Sequence, residues 1–204
     1  MPLDPLAKIT YGLFVAATKD GSGRDVGCIV NTACQVTVTP LMVSLTVNKL
    51  NYTAGSIETS GVFSISMLDT TADFGLIKNF GFQSGKDADK FAGIETGRAK
   101  NGVVYLKRNA CAYVSCSVKQ VIDLGTHLLF IGLVEESGNL SDAEPMSYAY
   151  YHANVKPKPE QPKGSKKVWR CKICGYVYEG EDLPSDFICP LCKHGAADFE
   201  LVEA

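Results

Sequence analysis

The sequence predicts a mainly β protein: a closed antiparallel barrel with a few short helices, followed by a small domain stapled by a metal. Three observations carry this expectation. Short runs of alternating apolar and polar residues, with turn residues between them, recur through residues 1–153. A lysine- and proline-rich stretch over 154–167 has almost nothing to bury and reads as a semi-extended tether. Beyond it, residues 168–204 carry two Cys-x-x-Cys pairs in a segment too short to hold a sizeable core.

In chain order, Gly21-Ser22-Gly23 marks a turn between two early strands. Val36–Thr39 and Val43–Val47 alternate, with a bend at Pro40. A short helix is expected near Thr53–Thr59 and a β-run from Val62 to Leu68. A second helix is expected over Thr71–Phe80, capped by Asp69, Thr70 or Thr71 and closed by Gly81. The polar, glycine-rich stretch Gly81–Gly102 reads as a long excursion near a site. Ala112–Val118 and His127–Glu135 complete the strands. Many antiparallel strands with so few helices favour closure into a barrel.

Composition narrows the function. Apolar residues make up 46% of 204, enough for a packed core, and the formal net charge of −2 argues against nucleic acid as a partner. No apolar run is long enough to span a membrane, and the start, Met1-Pro2-Leu3-Asp4, does not look like a signal peptide. A cytoplasmic protein is therefore expected. The tether holds five lysines and one acid, whereas residues 168–204 hold three cations (Arg170, Lys172, Lys193) and seven acids. A solvated charge run is the plain reading of those lysines; a docking patch is the sharper one.

The cysteines divide by place. In a reducing cytosol disulfides are not expected, so Cys28, Cys34, Cys111 and Cys116 read as small buried hydrophobes. Cys171-x-x-Cys174 and Cys189-x-x-Cys192, with fourteen residues between the pairs, suit a tetrahedron of thiolates around one metal. Spacing alone leaves zinc and iron open. Gly175, behind Cys174, permits a positive φ, and backbone N–H groups can then face the sulfurs. Trp169, Tyr176, Tyr178, Phe187 and Phe199 surround the site. The run Trp169–Gly180 resembles the first half of a rubredoxin, and Asp186–Cys192 with Phe199 the second. The short interval between the pairs is similar to the clipped module at the end of rubrerythrins. Lys193 stands where longer members place glycine. The resemblance implies one iron in an Fe(Cys)4 site.

A single iron carries one electron and needs a donor. No GxGxxG opens a helix after a strand, and there is no Walker sequence, H-E-x-x-H or Gly-x-Ser-x-Gly. Over nearly all of residues 3–153 the body instead resembles the flavin reductase family of FMN-binding split barrels. The segments that carry this are Gly27–Thr37, Asn48–Thr53, Ser60–Leu68, Ser84–Phe91 and Asp123–Gly132. Lys49 offers a cation, and Asn51 and Thr53 offer donors near a helix start, where a phosphate is favoured. The plain alternative is that Asn51 and Thr53 only cap the helix. Asn31 and Thr32 are candidates for the flavin ring or ribityl chain, and Ser84, on the Ser84–Lys90 loop, is a further phosphate candidate.

His127 is the candidate catalytic residue. A lone histidine in a β-run is often only structural, but the family places its counterpart near the flavin and the incoming nicotinamide. Its usual acidic neighbour is here Thr126.

Taken whole, the chain resembles the high-molecular-weight rubredoxins, in which a flavin reductase domain is fused to a rubredoxin. That resemblance implies oxidation of NADH or NADPH, FMN as the converter from hydride to single electrons, and delivery to a flavodiiron protein. It also implies a homodimer. An electron-transfer adaptor loaded by a separate reductase and a zinc-ribbon interaction module are the alternatives.

Overall fold

The computed structural model describes residues 8–157, 168–173, 175–180, 182–189 and 194–202. The chain divides into two compact units, Met1–Lys156 and Pro157–Ala204.

The first unit opens with the hairpin β1 (Phe14–Lys19) and β2 (Asp25–Val30), followed by β3 (Ala33–Thr37) and β4 (Met42–Asn48). β3 ends earlier than its alternation suggested, because the chain turns over residues 38–41 around Pro40. Then come α1 (Tyr52–Ser60), β5 (Val62–Leu68), α2 (Phe74–Gly81), β6 (Thr96–Arg98), β7 (Val104–Leu106), and the long hairpin β8 (Ala110–Asp123) and β9 (His127–Asn139). α3 (Tyr148–Tyr150) runs into one π-helical turn, Tyr151–Val155.

α2 corrects a sequence expectation. It begins at Phe74 rather than Thr71, and Asp73 caps it by accepting a 2.8 Å hydrogen bond from the Leu76 N–H. Asp69 is instead buried in the preceding turn, where its carboxylate accepts from the Thr71 N–H and hydroxyl. Gly81 lies inside the last turn and does not close the helix.

Seven strands form one antiparallel sheet in the order β2-β1-β5-β8-β9-β4-β3. Its two edge strands, β2 and β3, are joined by Asn31 and Thr32 alone. A flat sheet of seven strands would be about 29 Å across, whereas that link reaches only about 11 Å. The sheet must therefore curl until its edges nearly meet, and the split in the barrel falls at Asn31 and Thr32. α1 packs against β1, β2, β4 and β5, spanning both sides of the split.

Inside, Leu45, Val47, Ile57, Phe63, Ile65, Cys116 and Phe130 form one core, with roughly 1.5–3 kcal/mol expected from each large apolar side chain removed from water. Gly132 is part of that fit. A Cβ there would stand 2.5 Å from the Phe63 ring and 2.9 Å from Cys116 Cβ. A second core gathers Leu13, Leu68, Ile77, Phe80, Leu106, Met146 and Tyr151 around α2.

The second unit is a three-stranded sheet ordered β11 (Val177–Glu179), β10 (Val168–Cys171), β12 (Phe199–Val202). Its core is small: Cys171, Cys189 and Phe199 are buried, with Trp169, Tyr176, Tyr178 and Phe187 packed around them.

Candidate functional site

In the second unit, Cys171 ends β10 and its N–H donates 2.8 Å to the Tyr176 carbonyl. The Gly175 N–H returns 2.8 Å to the Cys171 carbonyl, and Gly175 has a φ of 77°. This is a tight loop behind a cysteine that only glycine enters without strain. The second loop carries Cys189, whose N–H donates 2.8 Å to the His194 carbonyl, beside a bridge between Ile188 and Gly195. Cys171 and Cys189, one from each pair, thus share one buried cluster. Cys174 and Cys192 lie outside the described residues. Among the described residues no three metal-ligating side chains gather. Buried sulfurs delivered by two hydrogen-bonded loops fit a thiolate-bound metal, which needs a closed ligand set and N–H groups near sulfur.

In the barrel, the candidates fall into two groups at the edge of α1. Thr32 and Asn31 sit at the split, and the Thr32 hydroxyl donates 2.8 Å to the Thr46 carbonyl, tying the link to β4. Lys49 follows β4; its N–H donates 3.0 Å to the Thr126 carbonyl. The Lys49 ammonium lies 2.6 Å from the Asp123 carboxylate, an exposed pair that holds Asp123 below its ordinary range. His127 stands opposite Asn48 in the β4–β9 register, and its Nδ1 is 2.8 Å from the Thr126 hydroxyl. Thr126 therefore fills the place of the missing acidic neighbour as a hydrogen-bond partner.

Asn51 occupies the N-cap of α1, yet its side chain makes no capping bond. The cap reading accordingly does not account for it. Thr53 is 1% exposed, so it faces the core. Ser84 opens a turn on the Gly81–Gly102 excursion: its hydroxyl accepts 3.1 Å from the Lys86 N–H, and its carbonyl accepts from Asp87 and Ala88. That turn lies against α1, since a Cβ on Gly85 would contact the Tyr52 ring at 3.8 Å. The fold thus brings the Ser84 turn, separated in sequence, against the side chain of Tyr52 at the first position of α1, while Lys49 follows β4 and His127 stands opposite the last residue of that strand.

Several structural partners of this region were not singled out in the sequence. Asp20 and Arg24 join the β1–β2 turn to Tyr52 and to the Ser84 turn. Lys90 is buried, and its ammonium donates to the Gly27 carbonyl at 3.0 Å and the Phe80 carbonyl at 2.9 Å. Burial pushes the Lys90 pKa down and the neighbouring Cys28 thiol up. The Asp-Gly step after Lys19 was a legible turn signal for Asp20; nothing local marks a lysine for the interior.

Residues 6–158 match the model of the flavin reductase like domain, and residues 169–200 match that of the rubrerythrin, rubredoxin-like domain. The chain belongs to the flavin reductase-like family. It is an oxidoreductase of that family with a rubredoxin-like, metal-binding domain at its C-terminal end. The high molecular weight rubredoxin of Moorella thermoacetica is 36% identical over 99% of this chain and all of its own length. The ferric-chelate reductase (NAD(P)H) of Archaeoglobus fulgidus is 35% identical, over 78% of this chain and 93% of its own. Among solved structures, nitrilotriacetate monooxygenase component B from Mycobacterium thermoresistibile superposes with a TM-score of 0.64 at 22% identity, covering 78% of this chain and 88% of its own. That likeness establishes the shared fold. Among the described residues no helix is long and apolar enough to cross a membrane.

Proposed function

We propose that the chain oxidises NADH or NADPH with FMN held at the split of the barrel, and passes electrons singly to one iron held by Cys171, Cys174, Cys189 and Cys192. The observation that carries this is the pairing, in one chain, of a flavin reductase domain with a rubredoxin-like domain. A bound flavin accepts a hydride and returns electrons one at a time, which a one-electron metal needs. The 36% identity to a high molecular weight rubredoxin along the whole chain supports the same division of labour.

The chain's own residues have separable tasks. Asn31 and Thr32, at the split, hydrogen-bond the ring edge or ribityl chain. The start of α1 with Asn51, the Lys49 ammonium and the Ser84 hydroxyl take the phosphate. Lys49 can do so because its pair with Asp123 is exposed, and such pairs are worth only about 0–1 kcal/mol. Thr53, turned inward, serves through its backbone. His127, oriented by Thr126, lies on the side that receives the nicotinamide. The thiolates of the second unit hold the iron, and Gly175 and Tyr176 brace the first loop.

The acceptor fitting this chemistry is a one-electron redox partner, such as a flavodiiron oxygen or nitric oxide reductase. The exposed apolar residues Val36, Val38 and Leu41, at and just after the edge strand β3, suit burial in a homodimer. A cytoplasmic setting keeps the thiolates reduced.

Anaerobic mixing with NADH or NADPH tests the reading. Flavin and ferric-thiolate absorption should bleach together within seconds. A protein that stays oxidised is an adaptor loaded by another reductase, and a colourless protein containing zinc removes the iron site.

A further inference from the structure

The Ser84 turn does not hold itself against α1. Arg24, just before β2, donates from Nη2 to the Gly85 carbonyl at 2.9 Å and to the Lys86 carbonyl at 3.3 Å. Its Nε donates 3.2 Å to Asp20 Oδ2, and the Tyr52 hydroxyl donates 3.3 Å to the same oxygen. Asp20 Oδ1 accepts from the Ser22 N–H at 2.9 Å, the Ser22 hydroxyl at 2.6 Å and the Arg24 N–H at 3.1 Å. With so many donors, the Ser22 hydroxyl foremost, the carboxyl is held far below its ordinary range although it is only 9% exposed. One Asp–Arg pair therefore connects three separate pieces of chain: the β1–β2 turn, the Ser84 turn and the first residue of α1.

The direction of the bonds matters more than their number. Arg24 takes the outer carbonyls of the turn, Gly85 and Lys86. Ser84 takes the Lys86 N–H on its hydroxyl oxygen, which leaves the hydroxyl proton to donate elsewhere. The neighbouring α1 terminus has N–H groups without a side-chain cap, because Asn51 does not supply one.

We propose that Asp20 and Arg24 are positioning residues of the flavin phosphate subsite. They seat the Ser84–Ala88 turn beside the start of α1, so that the Ser84 hydroxyl and the α1 amides face one anion. Neither residue needs to touch the flavin. This inference rests on the phosphate reading given above.

Flavins with and without the phosphate separate positioning from general stability. FMN and riboflavin affinities of the full chain, by flavin fluorescence quenching, should show tighter FMN binding. Arg24→Ala should weaken FMN by roughly tenfold, as expected if the released turn takes the Ser84 hydroxyl away from the charged phosphate, and leave riboflavin within about twofold. Arg24→Lys, whose single nitrogen cannot reach Asp20 and the turn carbonyls from two separate donors, should fall between. Tyr52→Phe should reproduce the effect in smaller degree and keeps the comparison available if Arg24→Ala does not fold. Equal weakening of both flavins, or none, overturns the positioning role. If the unmodified protein does not prefer FMN over riboflavin, the phosphate reading itself fails, and the positioning role with it.

Discussion

Cys116 and Cys34 belong to the same sheet, on strands β8 and β3, yet their surroundings differ. Cys116 is fully buried on β8, and burial pushes its thiol up to about 12. Cys28, also buried, has a thiol raised by burial. Cys34 is exposed on β3, with its sulfur 3.2 Å from the Ser44 hydroxyl. Because the thiolate is the nucleophile, iodoacetamide at pH 8 should label Cys34 first among these three. Cys28 and Cys116 should react only on unfolding. Peptide mapping by mass spectrometry checks this; native labelling of Cys116 at the rate of Cys34 would mean that the barrel interior opens freely.

At the scale of elements, the barrel depends on close approach between strands. Gly132 on β9 faces Phe63 of β5 and Cys116 of β8, and all the nearby space is filled. Gly132→Ala should cost about 1–3 kcal/mol, the usual penalty for overpacking a tight core. Urea unfolding of the flavin-free barrel measures it, and an unchanged midpoint would show that the Phe63 ring swings aside. The excursion between α2 and β6 is held differently. Lys90 donates to the Gly27 and Phe80 carbonyls, so a buried cation ties the excursion to β2 and to the end of α2.

The whole molecule joins units of unequal self-sufficiency. The barrel carries two apolar clusters, whereas among the described residues the second unit has one small cluster around Cys171, Cys189 and Phe199. Its fold should therefore be coupled to its metal. Chelation under reducing conditions should unfold residues 168–202 and spare the barrel, as read by proton NMR dispersion of the second unit against near-ultraviolet circular dichroism of the full chain. Retention of native shifts without metal would show an adequate apolar core. Of the linker expected over residues 154–167, residues 158–167 lie outside the described residues, and its composition still makes a functional prediction. A tether sets an effective concentration on the order of millimolar. Cleaving it should leave NAD(P)H oxidation by the barrel intact and slow reduction of a separated, micromolar iron domain. Equal rates for tethered and separated forms would remove the linker from the electron path.

Local pattern determined much of this protein. Period-two alternation marked β4, β5 and β8 and a β-rich run marked β9; in β4 the alternation follows from one buried face, which must repeat every second residue. The spacing of Cys171, Cys174, Cys189 and Cys192 with Gly175 marked the metal domain, since a tetrahedral site and a positive φ constrain neighbouring residues directly. Tertiary structure alone decided the rest. Asp73 rather than Asp69 caps α2, because Asp69 is drawn into a buried turn by Thr71 and Ser141. Lys49 meets Asp123 across 74 residues, Arg24 meets Gly85 across 61, and Lys90 enters the interior to reach Gly27 across 63. No local pattern encodes such pairs. They exist because strand order and the packing of the loops on the sheet bring distant segments within hydrogen-bonding reach, and that order is a property of the whole sheet.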